Sequence, residues 1–171
     1  MDWVLNDPEY GGYGAGHLEI GKKGDFVTSP SLGNEFASLL TVQFLDWFKQ
    51  LEDKLPNEAK LSLVDIGPGQ GDFIYDLVSE LNNSCPGILK RIEIVLVERN
   101  QAMIVKQKSL LESLNISIRW SSLEELIKSP VIGIIIANEL LDSLPVERVT
   151  LKDNQLHRQG ISIEKIDTNY S

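Results

Sequence analysis

Leu61-Ser62-Leu63-Val64-Asp65-Ile66-Gly67-Pro68-Gly69-Gln70-Gly71-Asp72 is the stretch whose reading decides the fold. Leu61, Leu63, Val64 and Ile66 make an apolar run long enough for a buried strand and too short for a buried helix. Glycines then fall at alternate positions, Gly67, Gly69 and Gly71, with Pro68 stiffening the turn between the first two. Glycine has no Cβ, so this backbone can take positive φ and let a ligand come close. From Asp72 onward a helix is predicted, with Phe73, Leu77 and Leu81 on one face and Ile74 and Val78 beside them. A strand, a glycine turn and a helix N-terminus together read as a nucleotide-type cofactor site.

Downstream, strand and helix patterns alternate. Ile92–Val97 reads as a second buried strand with Glu98 at its carboxyl end, and Asn100 is placed to cap the following helix. Ile116–Trp120 reads as a third strand, and Ser122-Leu123-Glu124-Glu125 has the spacing of a capping box. Val131–Ala137 is a fourth, strongly apolar strand, closed by Asn138-Glu139 and a helical turn towards Pro145. Val146–Leu151 and Ile161–Ile166 read as the strands of a hairpin turning around Asp153-Asn154. Upstream, Phe36, Leu39, Leu40, Phe44, Trp47, Phe48 and Leu51 predict one amphipathic helix from about Leu32 to Asp53, ended by Pro56-Asn57. This alternation predicts an α/β fold, a parallel sheet flanked by helices with a C-terminal hairpin.

Size and charge narrow the function classes. A chain of 171 residues fits a single domain, and at this size about 68–70% of the unfolded surface is buried. The expected division is 1–30 as an N-terminal segment, 31–145 as the α/β core and 146–171 as the hairpin. The net charge of −9 and the absence of any Lys/Arg run argue against a nucleic-acid role. A single cysteine, Cys85, leaves no zinc-ligand spacing, and no metal site is expected. No apolar run approaches the ~18 residues of a membrane span, and Met1–Tyr10 has neither a basic n-region nor an apolar h-region. These features predict a cytoplasmic protein with no membrane partner.

The cofactor is read from what surrounds the glycines. A dinucleotide turn ends its G-x-G-x-x-G pattern in Gly or Ala; counted from Gly67, that place is Asp72. A carboxylate there competes for the position of a pyrophosphate, and no Gly-Lys-Ser/Thr follows to make a P-loop. S-adenosylmethionine carries no phosphate, and its sulfonium and ammonium favour acidic surroundings. Glu98 can accept ribose hydroxyls, as acids at that place do in dinucleotide sites. These residues favour S-adenosylmethionine over a nicotinamide. Ligands lie outside the carboxyl ends of parallel strands, so Asn138, Glu139 and Asp142 are the candidate catalytic residues, although Asn138 and Asp142 can equally be turn caps. Glu139 could hold a guanidinium through bidentate hydrogen bonds.

Three blocks carry a family resemblance: Asp7–Pro30, which is DPEYGGYGAGHLEIGKKGDFVTSP; LVDIGPGQGD, Leu63–Asp72; and ANELLDSLPV, Ala137–Val146. The chain resembles the MidA-type methyltransferases, the family of the mitochondrial complex I assembly factor 7, a protein arginine methyltransferase. The resemblance implies a Rossmann-like methyltransferase fold, an S-adenosylmethionine cofactor and a protein substrate, with a respiratory NADH dehydrogenase subunit as the target. It implies that Met1–Pro30 covers cofactor and substrate. Asp65, Gly67, Gly69, Gly71, Asp72 and Glu98, with Gly24, Asp25, Thr28 and Ser29, are then the expected cofactor-binding residues. Family members are about twice this length, so the strands that complete a seven-stranded sheet are expected to be absent by truncation, supplied by a partner chain or replaced by the hairpin Val146–Ile166. Left bare, the fourth strand would be an apolar edge, which a homodimer could cover. A non-catalytic cofactor-binding or assembly homologue and a small-molecule methyltransferase are the alternative readings.

Overall fold

The structure, a computed structural model, describes residues 1–18, 21, 23–56 and 59–162, the side chains of residues 31 and 32 excepted. In chain order the helices and strands are α1 (Asp2–Asn6), α2 (Ser29–Leu32), α3 (Glu35–Glu52), β1 (Leu61–Ile66), α4 (Asp72–Ser84), β2 (Ile92–Val97), α5 (Gln101–Leu111), β3 (Ile118–Ser121), α6 (Leu123–Lys128), β4 (Gly133–Ile136), β5 (Val149–Lys152) and β6 (Gln155–Arg158). The first four strands form one parallel sheet in the order β3-β2-β1-β4. β1 therefore lies inside the sheet, in register Leu61↔Ile92 and Leu63↔Ile94 on one side and Leu63↔Ile134 on the other. Its predominance of apolar residues follows from burial on both faces, with Ser62 and Asp65 buried among them.

Successive residues of a strand point to opposite faces, and the two faces are covered unequally. Leu61, Leu63, Ile92, Ile94 and Leu96 pack with Phe44 and Phe48 of α3 and with Phe73, Ile74, Leu77 and Leu81 of α4. Val64, Val95 and Val97 form a smaller cluster with Leu126 of α6 and Val131. The first and larger cluster is the core on which the glycine loop rests.

Three expectations are corrected. The helix drawn from Leu32 to Asp53 is two pieces, α2 and α3, interrupted at Gly33-Asn34. On α3 the buried face is Ala37, Thr41, Phe44 and Phe48, while Leu39 and Trp47 are exposed. The hairpin turns at Asp153-Asn154 as expected, but its return strand is Gln155–Arg158, not Ile161–Ile166. Residues 163–166 of that expected strand lie outside the described residues. Asp153 and Asn154 have φ of 51° and 61°, as both central residues of a two-residue type I′ turn require. Such a turn pairs Lys152 directly with Gln155, and polarity is no obstacle because both strands are exposed throughout.

Candidate functional site

The glycine turn is built to leave room. Gly67, Gly69 and Gly71 have φ of 71°, 57° and 100°, values that side-chain-bearing residues rarely adopt. Gly67 donates its N–H to the Val97 carbonyl at 3.0 Å, tying the end of β1 to the end of β2. A Cβ at Gly67 would stand 2.6 Å from Cδ1 of Leu140, so the turn and the segment after β4 pack directly together. Gly71 is the N-cap of α4 and Asp72 lies in its first turn. Asp65, at the end of β1, is only 3% exposed, and burial, with the Glu98 carboxylate adding to it, pushes its carboxyl up to about 7. Glu98 accepts hydrogen bonds from the Asn100 backbone N–H at 2.8 Å and from Nε2 of Gln107 at 3.3 Å.

Across this turn lies the N-terminal segment, which is ordered through its described residues. Gly12 donates its N–H to the Val4 carbonyl, and both Tyr13 and Gly14 donate to Leu5, folding the glycine block back on α1. The fold depends on small residues here, since a Cβ at Gly14 would meet the Asp7 carbonyl at 2.3 Å. Asn100 fastens the block to α5: its Oδ1 caps the helix by accepting from Ala102 and Met103, while its Nδ2 donates to the Tyr13 carbonyl. Further along, the Ser29 backbone N–H donates to Oε1 of Glu139 at 3.1 Å. Burial, and next the charge of Asp142, raise the Tyr13 phenol above its ordinary value.

Between these parts runs a cleft of about 700 Å³, with a small extension of about 80 Å³ beside the glycine turn. Of the residues proposed from sequence, Asp25, Thr28, Asp65, Gly67, Gly69, Asp72, Glu98, Asn138, Glu139 and Asp142 line it. Gly71, Gly24 and Ser29 are not among the lining residues: Gly71 starts α4, Gly24 donates its N–H to Gly21 at 2.9 Å, and Ser29 acts through its backbone on Glu139. Among the described residues, six lining carboxylates face a single lining cation, Arg99. This donor set suits a positively charged ligand bearing hydroxyls. It suits a pyrophosphate poorly, because Asp72 occupies the first turn of the helix that would receive one. No cluster of His, Cys, Asp and Glu among the described residues is arranged to hold a metal ion.

Sequence reasoning missed Gln107. Its side chain is fully buried, donating from Nε2 to the Gly69 carbonyl at 2.7 Å as well as to Glu98, and accepting at Oε1 from Nε1 of Trp120 at 2.9 Å. The signal was spacing: Met103, Gln107 and Leu111 fall four apart and make one buried stripe of α5. It missed equally the second half of Asn100, read as a cap only, because the Tyr13 contact is long-range.

Comparison with known proteins places the chain in a family. Residues 39–170 match the model of a family described as "Putative S-adenosyl-L-methionine-dependent methyltransferase". The chain is 27% identical to the protein arginine methyltransferase NDUFAF7 of Bos taurus mitochondria, over 86% of this chain and 37% of the relative. It is 25% identical to the corresponding mitochondrial homologue of Caenorhabditis elegans, over 94% of this chain and 38% of the relative. A Burkholderia thailandensis crystal structure solved with S-adenosylhomocysteine bound superposes with a TM-score of 0.71 at 21% identity, over 95% of this chain and 41% of that one. That likeness is one of fold, and the chain spans about two fifths of the length of these relatives. The expectation of a cytoplasmic protein does not stand, since the named relatives are mitochondrial. No helix among the described residues is long and apolar enough to cross a membrane.

Proposed function

The chain belongs to this family of S-adenosyl-L-methionine-dependent methyltransferases, and from that premise we propose that its cleft binds the methyl donor and presents the methyl to a protein arginine. One observation carries the reading. The glycine turn after β1, the acid after β2 and the segment after β4 converge on a single acidic cleft. In this reading Gly67, Gly69 and Gly71 give the cofactor close approach to the backbone, and Glu98 accepts the ribose hydroxyls. Asp65 and Asp72 face the ammonium end. Bound there, the cofactor supplies an electrophilic methyl on a sulfonium sulfur.

The chain's own contribution is then orientation and exclusion of water. The division that goes with this reading is 1–30 as the covering segment, 31–145 as the cofactor core and 146–171 as an extension, of which the described part is the hairpin β5-β6. Gly24, Asp25, Thr28 and Ser29 belong to the covering segment, where Ser29 positions Glu139 through its N–H. Asn138, Glu139 and Asp142 are assigned to the acceptor, Glu139 holding the guanidinium by bidentate hydrogen bonds. The relatives named as protein arginine methyltransferases support an arginine acceptor, and the MidA-type resemblance makes a respiratory NADH dehydrogenase subunit the first substrate to try.

The test is transfer of labelled methyl from S-adenosylmethionine to a mitochondrial protein extract. Label recovered in methylarginine, and lost in Glu139→Gln, supports the assignment. Label found only in small molecules replaces the acceptor class. A second reading, a non-catalytic assembly protein, is favoured by Ile132 and Ile135, which stand exposed at the β4 edge of the sheet. A homodimer through that edge, with cofactor binding but no transfer to any protein, would support it.

A further inference from the structure

Gln107 is the one fully buried polar side chain among the described residues that joins two parts of the proposed cofactor site. We propose that it is a positioning residue, which sets the grip of Glu98 on the ribose by fixing that carboxylate and the glycine turn in one frame. The inference rests on the cofactor reading above.

The chemistry determines which way the amide faces. Trp120 Nε1–H can only donate, so it must meet Oε1 of Gln107, at 2.9 Å. Nε2 is then turned to the opposite side, where it has two acceptors and two hydrogens. One goes to the Gly69 carbonyl at 2.7 Å and one to Oε2 of Glu98 at 3.3 Å. Every polar valence of the amide except the second lone pair of Oε1 is used, and none is given to solvent. Glu98 is held from two sides, its other oxygen Oε1 accepting from the Asn100 backbone N–H at 2.8 Å.

Each partner comes from a different element: Gly69 from the turn after β1, Glu98 from the end of β2, and Trp120 from β3. The amide is therefore the point at which three neighbouring strands agree on the position of the turn and the acid. Without it, the half-buried Gly69 carbonyl and the Trp120 indole N–H lose their partner, and Glu98 is held from one side only, by the Asn100 N–H.

The experiment measures affinity of the intact chain for S-adenosylhomocysteine and for its 2′-deoxyribose analogue, in wild type and in Gln107→Met, which keeps length and volume. The wild type is expected to prefer the ribose ligand by about 10-fold, the worth of a hydrogen bond to a charged group. In Gln107→Met that preference falls to less than about threefold. Gln107→Leu, which likewise removes both donors, gives the same collapse and stands in should the methionine variant fail to fold. A merely structural loosening would weaken both ligands in proportion and leave their ratio unchanged, which would overturn the proposal. So would a wild type that binds both ligands equally. A wild type that binds neither refutes the cofactor reading itself.

Discussion

Replacing Asp65 by Asn should stabilise the ligand-free protein at neutral and alkaline pH. Asp65 is 3% exposed at the end of β1, where burial and the nearby Glu98 charge lift its carboxyl from 3.8 to about 7. Below about pH 4 the group is protonated in both folded and unfolded chains and contributes no pH dependence. Between there and about pH 7 the unfolded chain gives up the proton while the folded chain keeps it. The folded state then binds more protons, and stability falls as pH rises. Above about pH 7 both forms are ionised and the penalty is constant. At 1.36 kcal/mol per pH unit, the gap corresponds to a penalty of up to about 4 kcal/mol. The assay is urea or thermal unfolding of wild type and Asp65→Asn from pH 4 to pH 8, without ligand. The variant should gain on the wild type across this range, with about 2–4 °C of melting temperature for each kcal/mol. Comparing the difference between the two proteins across pH removes the constant cost of the amide. A difference that does not change with pH would refute the placement of Asp65 as a buried, charge-penalised group. The same substitution should weaken S-adenosylmethionine, whose positive charge is what would offset this penalty.

Asn100→Ala removes both the cap of α5 and the anchor of the N-terminal segment. It should cost about 1–2 kcal/mol in urea unfolding and speed tryptic cleavage after Lys23 more than cleavage after Arg91; equal acceleration at both would show that the segment is not held there. Ser122→Ala breaks the capping box of α6, in which Ser122 and Glu125 bond each other's backbone N–H. It should cost about 0.5–2 kcal/mol of stability and leave S-adenosylhomocysteine affinity unchanged, because α6 lies away from the cleft; a lost affinity would contradict that separation.

What the sequence reveals here is what local chemistry decides. β1 and β2 begin and end where their apolar runs do, α4 starts at Asp72, and Glu98 stands at the end of β2 because a charged residue ends a buried strand. The Ser122 box and the Asn100 cap are short-range patterns and form as read. Long-range choices are less visible. The exposed face of α3 carries Leu39 and Val42, so its apolar stripe is wider than the face it buries. The return strand of the hairpin follows turn geometry, and its polar residues disguise it. In the cleft, the lining carboxylates were named from position, but the docking of Tyr13 on Asn100 and the bonds of Gln107 arise only when distant segments meet. A glutamine within a helix reads as a solvent residue until its neighbours four positions away prove to be buried.

Retention of S-adenosylmethionine in the cleft by Glu98 and the glycine turn is the central expectation. Calorimetric titration of the chain with S-adenosylhomocysteine, repeated on Glu98→Ala and against a nicotinamide dinucleotide, tests this most directly. One saturable site is expected in the wild type, about 10–100-fold weaker in Glu98→Ala, the loss expected when a charged hydrogen-bond partner is removed, with no comparable binding of the dinucleotide. Saturable dinucleotide binding without S-adenosylhomocysteine binding, or equal affinity in the Glu98 variant, would contradict it.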